Sequence, residues 1–133
     1  MFATLDVLSQ GRVIVAFGAG WERGEFEALG VRLEDRGPQT EENVEVMIQA
    51  WTRDWIDHSG RFYDIHDVSM DPKPVQQPHP PLWYGGVTKT GARRAGRYCE
   101  CFYPVYLDIN VDPALRDGLR VEFVQEAERC GRD

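Results

Sequence analysis

Residues 82–90 read Leu82-Trp83-Tyr84-Gly85-Gly86-Val87-Thr88-Lys89-Thr90, and this stretch decides the fold. Three bulky residues in a row suit a short buried strand. Gly85-Gly86 ends it, and residues 90–98 follow as a helix. A strand that passes through a glycine turn into a helix is one βα unit of a parallel sheet. Glycines let backbone N–H groups approach an anion with no Cβ in the way. The first N–H groups of the following helix lack intrahelical partners and carry partial positive charge. Thr88 and Thr90 add hydroxyls, and Lys89, Arg93 and Arg94 add cations. The arrangement suits one phosphate group, although a plain tight turn has the same local pattern.

Downstream, Cys101-Phe102-Tyr103 is a further strand, stopped by Pro104. A last helix starts near Pro113, a residue suited to a first helical position. It carries Leu115, Leu119 and Phe123 as an apolar stripe and ends at Gly131. Upstream, Pro72, Pro74, Pro78, Pro80 and Pro81 forbid regular helix. Gly60-Arg61-Phe62-Tyr63 and residues 67–70 suggest short extended pieces within this excursion. Before it, Thr40 is the expected N-cap of a helix, with Glu41 and Glu42 in the first turn. Val44, Met47, Ile48 and Trp51 share one helical face directed at the core.

Residues 13–17, Val-Ile-Val-Ala-Phe, form an apolar run rich in β-branched side chains, the pattern of a strand buried on both faces. Gly18-Ala19-Gly20-Trp21 ends that run, and residues 22–29 suit a short helix closed by Gly30. Ligands gather at the C-terminal ends of parallel strands. Gly18 and Gly20 could leave room there for a ring system that Trp21 walls, or the segment is a turn beside a core tryptophan. Residues 4–8 read as the end of a helix stopped by Ser9-Gln10-Gly11.

The chain has 133 residues and is 42% hydrophobic, enough for a real core at one-domain length. A net charge of −7 argues against nucleic acid and against anionic membrane surfaces. No apolar run approaches the roughly 20 residues of a membrane span. The first residues lack the basic and apolar segments of a signal peptide, so the expected location is cytoplasmic. The odd cysteine set, Cys99, Cys101 and Cys130, suits a reducing compartment, and no metal site is assigned to it. His58, His66 and His79 are scattered, and Glu34, Asp35, Asp54 and Asp57 read as solvated charges. Ser9 and Ser59 lack the G-x-S-x-G context. No catalytic residue is assigned.

The order of these motifs resembles the luciferase-like monooxygenase family. The resemblance is carried by Ala3-Thr4-Leu5-Asp6, Gly18-Ala19-Gly20-Trp21, Glu25-Phe26, Gly60-Arg61-Phe62-Tyr63, Pro72-Lys73-Pro74-Val75-Gln76 and residues 78–86. It is strongest toward the branch that uses the deazaflavin coenzyme F-420, with flavin mononucleotide (FMN) as the alternative. The resemblance implies an α/β segment of a (β/α)8 TIM barrel: about three parallel strands with flanking helices. On this reading residues 1–133 are a single partial domain. Gly85, Gly86, Thr88 and Lys89 would hold the coenzyme phosphate, and Gly18, Gly20 and Trp21 would border its ring.

The family barrel runs to about 250 residues or more. The expected parent activity is hydride transfer or oxygen activation through a reduced coenzyme, on a small-molecule substrate. The fragment alone is expected to be inactive, to self-associate or to pair with a complementary barrel piece. The alternative is a non-catalytic remnant or assembly module. Where the family usually shows Gly-Asp-Gly-Trp, this chain has Cys99-Glu100-Cys101-Phe102.

Overall fold

The structure, a computed structural model, describes residues 1–104 and 112–132. Contacts gather into two compact units, Met1–Val13 with Ala19–Pro80 and Ile14–Gly18 with Pro81–Asp133.

The first unit starts with helix α1 (Phe2–Ser9), whose C-cap Gln10 is left-handed at φ 55°. Asp6 lies on its buried face and is fully shielded. Its carboxylate accepts the backbone N–H groups of Val75 and Gln76 at 2.8 and 2.9 Å, and the Gln76 amide at 2.7 Å. The proline-rich excursion is thereby tied to α1. Helix α2 (Arg23–Ala28) is capped by Glu22, whose side chain accepts from Gly24 N–H. A 3-10 turn (Leu33–Asp35) leads into α3 (Arg36–Thr52).

The α3 start corrects the expected one. Thr40 is no cap: its hydroxyl donates to the Arg36 carbonyl at 2.6 Å, one turn inside the helix. The stretch 36–39 is helical despite Gly37 and Pro38, because proline is tolerated in a first turn where N–H groups have no partner anyway. The core-facing stripe holds, with Val44 and Trp51 buried and Met47 and Ile48 partly so. At the other end the Lys73 ammonium donates to the Ala50 and Arg53 carbonyls at 2.9 and 2.6 Å. A cation on the last free carbonyls complements the helix dipole.

Strands β2 (Ile56–Ser59) and β3 (Asp64–Val68) form an antiparallel hairpin that the sequence reading did not resolve. Gly60-Arg61-Phe62-Tyr63, expected to be extended, is its turn. The physical reason is Glu42, whose carboxylate accepts the N–H groups of Arg61, Phe62 and Tyr63 and faces His58 Nε2 at 3.2 Å. A Cβ at residue 60 would collide with Glu42 and His58, so the turn needs glycine there.

The second unit holds a three-stranded parallel sheet in the order β1-β4-β5. Strand β1 (Val15–Phe17) pairs with β4 (Leu82–Gly85), Val15 beside Leu82 and Phe17 beside Tyr84. Strand β4 pairs with β5 (Cys101–Tyr103), Trp83 beside Cys101 and Gly85 beside Tyr103. Between them runs α4 (Lys89–Tyr98), and α5 (Pro113–Arg129) packs on α4. The α/β class, the parallel strands and their flanking helices are as the sequence indicates. Val15, Leu82 and Tyr84 are buried on one sheet face, whereas Ile14 and Trp83 on the other are 49% and 37% exposed. The expected α5 stripe is only partly buried: Leu119 is covered, but Leu115 is 46% exposed. Gly96 lets α5 approach closely, since a Cβ there would lie 2.6 Å from the Phe123 carbonyl oxygen.

Candidate functional site

The C-terminal ends of the three parallel strands converge in the second unit. Gly18 follows β1, and a Cβ on it would stand 3.0 Å from the Gly85 carbonyl oxygen. Its lack of a side chain therefore serves the approach of two strand ends. At the end of β4 the Gly86 N–H donates to the Tyr103 carbonyl at 3.2 Å, extending the sheet by one bond. A Cβ on Gly86 would meet the Tyr84 ring edge at 3.3 Å, a squeeze rather than a block.

Thr88 is the N-cap of α4, and its hydroxyl oxygen accepts from Gly91 N–H at 3.0 Å. The N–H groups of Lys89 and Thr90 then head the helix with no intrahelical acceptor. Thr90 is exposed. The Lys89 and Arg93 side chains are committed elsewhere. Lys89 Nζ lies 3.0 Å from Glu122 Oε1 and Arg93 Nε 2.7 Å from Glu122 Oε2. Arg93 first and Lys89 second hold the Glu122 carboxyl at about 2. Arg94 is buried, and its Nη1 donates to the Tyr84 hydroxyl at 3.1 Å. Gly18, Gly85, Gly86, Thr88 and Lys89 thus share one sheet end, with backbone donors and hydroxyls rather than cations as the means of meeting an anion.

Gly20 and Trp21 belong to the first unit. Gly20 has φ 79°, a left-handed geometry that favours glycine, and the Phe26 ring fills the place of its Cβ at 2.9 Å. Trp21 is 67% exposed, which excludes the core-tryptophan reading.

Several residues without an assigned role organise the segments that carry the resemblance. Burial pushes the Asp6 carboxyl up, but the donors from Gln76 and Val75 outweigh it and hold the group below its ordinary range. Glu42 is likewise raised by burial and lowered further by the Tyr63 and Phe62 amides, His58 and Arg61. Asp35, expected to be solvated, pairs with Arg61 at 2.6 Å and is 15% exposed. Glu100 stands where the family pattern has Asp. Its carboxylate accepts from Leu82 N–H at 2.6 Å and its own N–H donates to the Leu82 carbonyl. Burial, then Glu100, pushes the Cys99 thiol up to about 12, so it stays neutral. A carboxylate among helix-face apolar residues was the available signal for Asp6; nothing local marks Glu42 or Glu122, whose partners are distant in sequence.

Comparison with known proteins adds the context of this sheet end. The family described as luciferase-like monooxygenase matches residues 1–132. An FMNH2-dependent dimethylsulfone monooxygenase from Pseudomonas putida is 33% identical over 104 residues, 76% of this chain and 29% of that enzyme. Among solved structures, a coenzyme F-420-dependent secondary alcohol dehydrogenase superposes with TM-score 0.84 at 29% identity, over 99% of this chain and 39% of that one. A monooxygenase from Streptomyces bottropensis shares the fold with TM-score 0.83 at 24% identity, over 98% and 40%. The chain therefore spans less than half the length of these relatives.

Proposed function

The chain belongs to the luciferase-like monooxygenase family; we propose from that premise that residues 1–133 are one partial barrel domain that holds the phosphate end of a deazaflavin or flavin coenzyme. F-420 is the first reading and FMN the second, since the relatives include enzymes named for each. The observation that carries the proposal is the turn from β4 through Gly85-Gly86 into the capped start of α4. The residues present fit a phosphate there: the Lys89 and Thr90 amides head the helix, and the Thr88 and Thr90 hydroxyls stand beside them. Two features narrow the fit. The Gly86 N–H is used by Tyr103, and Lys89 and Arg93 are paired with Glu122. The helix start, rather than a cluster of free cations, supplies the attraction. The ring-bordering role of Gly18, Gly20 and Trp21 rests on the resemblance alone.

When bound, a reduced flavin supplies oxygen activation and a reduced deazaflavin supplies hydride. This chain's part is binding and orientation. A second reading, a module that keeps the fold without activity, is favoured by the use of the Gly86 N–H by Tyr103 and of Lys89 and Arg93 by Glu122.

Titration of each coenzyme against its dephosphorylated form, followed by calorimetry, tests the phosphate site. The phosphorylated form should bind at least tenfold more tightly at low salt. Thr90→Asp should abolish that preference by charge repulsion while leaving α4 intact, because an acidic residue in a first turn favours the helix. Equal binding of the two forms to the wild type overturns the assignment; no binding of either favours the inactive module.

A further inference from the structure

The solvent face of the β2–β3 hairpin carries Asp57 and Ser59 from one strand and Asp64 and His66 from the other. His66 Nδ1 lies 2.6 Å from Asp57 Oδ1, and Nε2 lies 2.9 Å from Asp64 Oδ1. A neutral imidazole has one N–H and one lone pair. It can satisfy one of these carboxylates, and its lone pair then faces the other. Both contacts are hydrogen bonds only when both ring nitrogens carry hydrogen. Ser59 lies 3.3 Å from His66 Nε2 and donates to Asp64 at 3.0 Å. These distances do not make a nucleophile, because the nitrogen that would take the Ser59 proton is already donating to Asp64.

The site coincides with an irregularity. Between the pairs Ile56–Val68 and His58–Ile65, Asp57 alone faces His66 and Asp67, a β-bulge. Asp67 is left-handed at φ 55°. A two-stranded hairpin is marginal without added contacts. On the opposite face α3 supplies them, Glu42 and Gln49 meeting His58, while Glu42 holds the turn amides. Arg61 at the turn pairs with Asp35. On the solvent face the bulge is bridged by His66.

We propose that His66 is a proton-dependent clamp on this hairpin: its imidazolium ties Asp57 on β2 to Asp64 on β3, and loss of the proton frees the bulge. Asp57 first, then Asp64, holds His66 above its ordinary range. Asp64 is held below its own, by Ser59 first and then His66. A group with a raised folded value stabilises fully below the unfolded value of about 6.5, and that contribution disappears as pH rises through the folded value. The side chains are half or more exposed, so the clamp acts locally and weakens with salt.

NMR titration of the full chain, with His66 identified by its absence in His66→Gln, reads the clamp directly. The His66 midpoint should lie above about 6.5 and fall toward it in Asp57→Asn. Amide protection across residues 56–68, corrected for intrinsic exchange, should drop as pH passes that midpoint, while α3 amides hold. His66→Gln should remove this pH dependence. A midpoint unchanged by Asp57→Asn, or a pH-dependent loss of protection that survives in His66→Gln, overturns the proposal.

Discussion

Asp6 receives the backbone amides of Val75 and Gln76, 69 and 70 residues along the chain. The Pro72-Lys73-Pro74-Val75-Gln76 segment is therefore a set of structural fasteners in this unit: Lys73 closes α3, and Val75 and Gln76 close on Asp6. Replacing Asp6 with Asn places an NH2 group among donors and leaves a buried donor unmatched. A loss of about 2 kcal/mol or more is expected in urea unfolding at neutral pH. The Asp6 carboxyl is depressed in the folded state, so its contribution is present above about 3.9 and lost as pH falls through the folded value. The gap between wild type and Asp6→Asn should accordingly shrink in acid; a gap independent of pH would show that the carboxylate is not the cause.

At the scale of elements, α4 and α5 are the pair whose fit is most demanding. Gly96 faces the Phe123 carbonyl, Glu126 and the Ala127 amide at distances no Cβ tolerates. Lys89 and Arg93 on α4 meet Glu122, and Arg97 meets Glu126 at 2.7 Å. The exposed Lys89 and Arg93 pairs contribute little singly, whereas Arg97 meets a buried Glu126; the glycine contact, set against backbone atoms, is the discriminating one. Gly96→Ala improves helix propensity by about 1 kcal/mol yet obliges α5 to shift against backbone atoms. A net lowering of the melting temperature is expected, with loss of amide protection in α5. If Gly96→Ala is neutral or stabilising, the close approach is not required. The charge pattern on α4 was visible in the sequence and suggested a phosphate; Glu122 was equally visible, but its distance along the chain concealed that it competes for the same cations.

For the molecule as a whole, the parallel sheet of the second unit has β1 and β5 as its outer strands, and Ile14 and Trp83 lie open on the face away from its helices. Among the described residues neither outer strand has a further neighbour, and unpaired strand edges beside apolar surface favour further pairing. The 133-residue chain is expected to self-associate with a concentration-dependent sedimentation coefficient, and Trp83→Lys should shift the equilibrium toward monomer. A single monomeric boundary at high protein concentration would exclude this.

The sequence by itself determined the βα pattern, the strand at residues 82–84, the helix after it and the family, because each depends on neighbours within a few positions: apolar runs, glycine and proline punctuation, and their order. It also placed Gly18, Gly85, Gly86, Thr88 and Lys89 at strand ends. What only the tertiary structure decided was which polar groups are already used. The turn at residues 60–63 is set by Glu42, the α3 terminus by Lys73, the Gly86 amide by Tyr103 and the α4 cations by Glu122. Each partner is supplied from another part of the chain, and a hydrogen bond or ion pair across that separation leaves no periodicity or spacing to read.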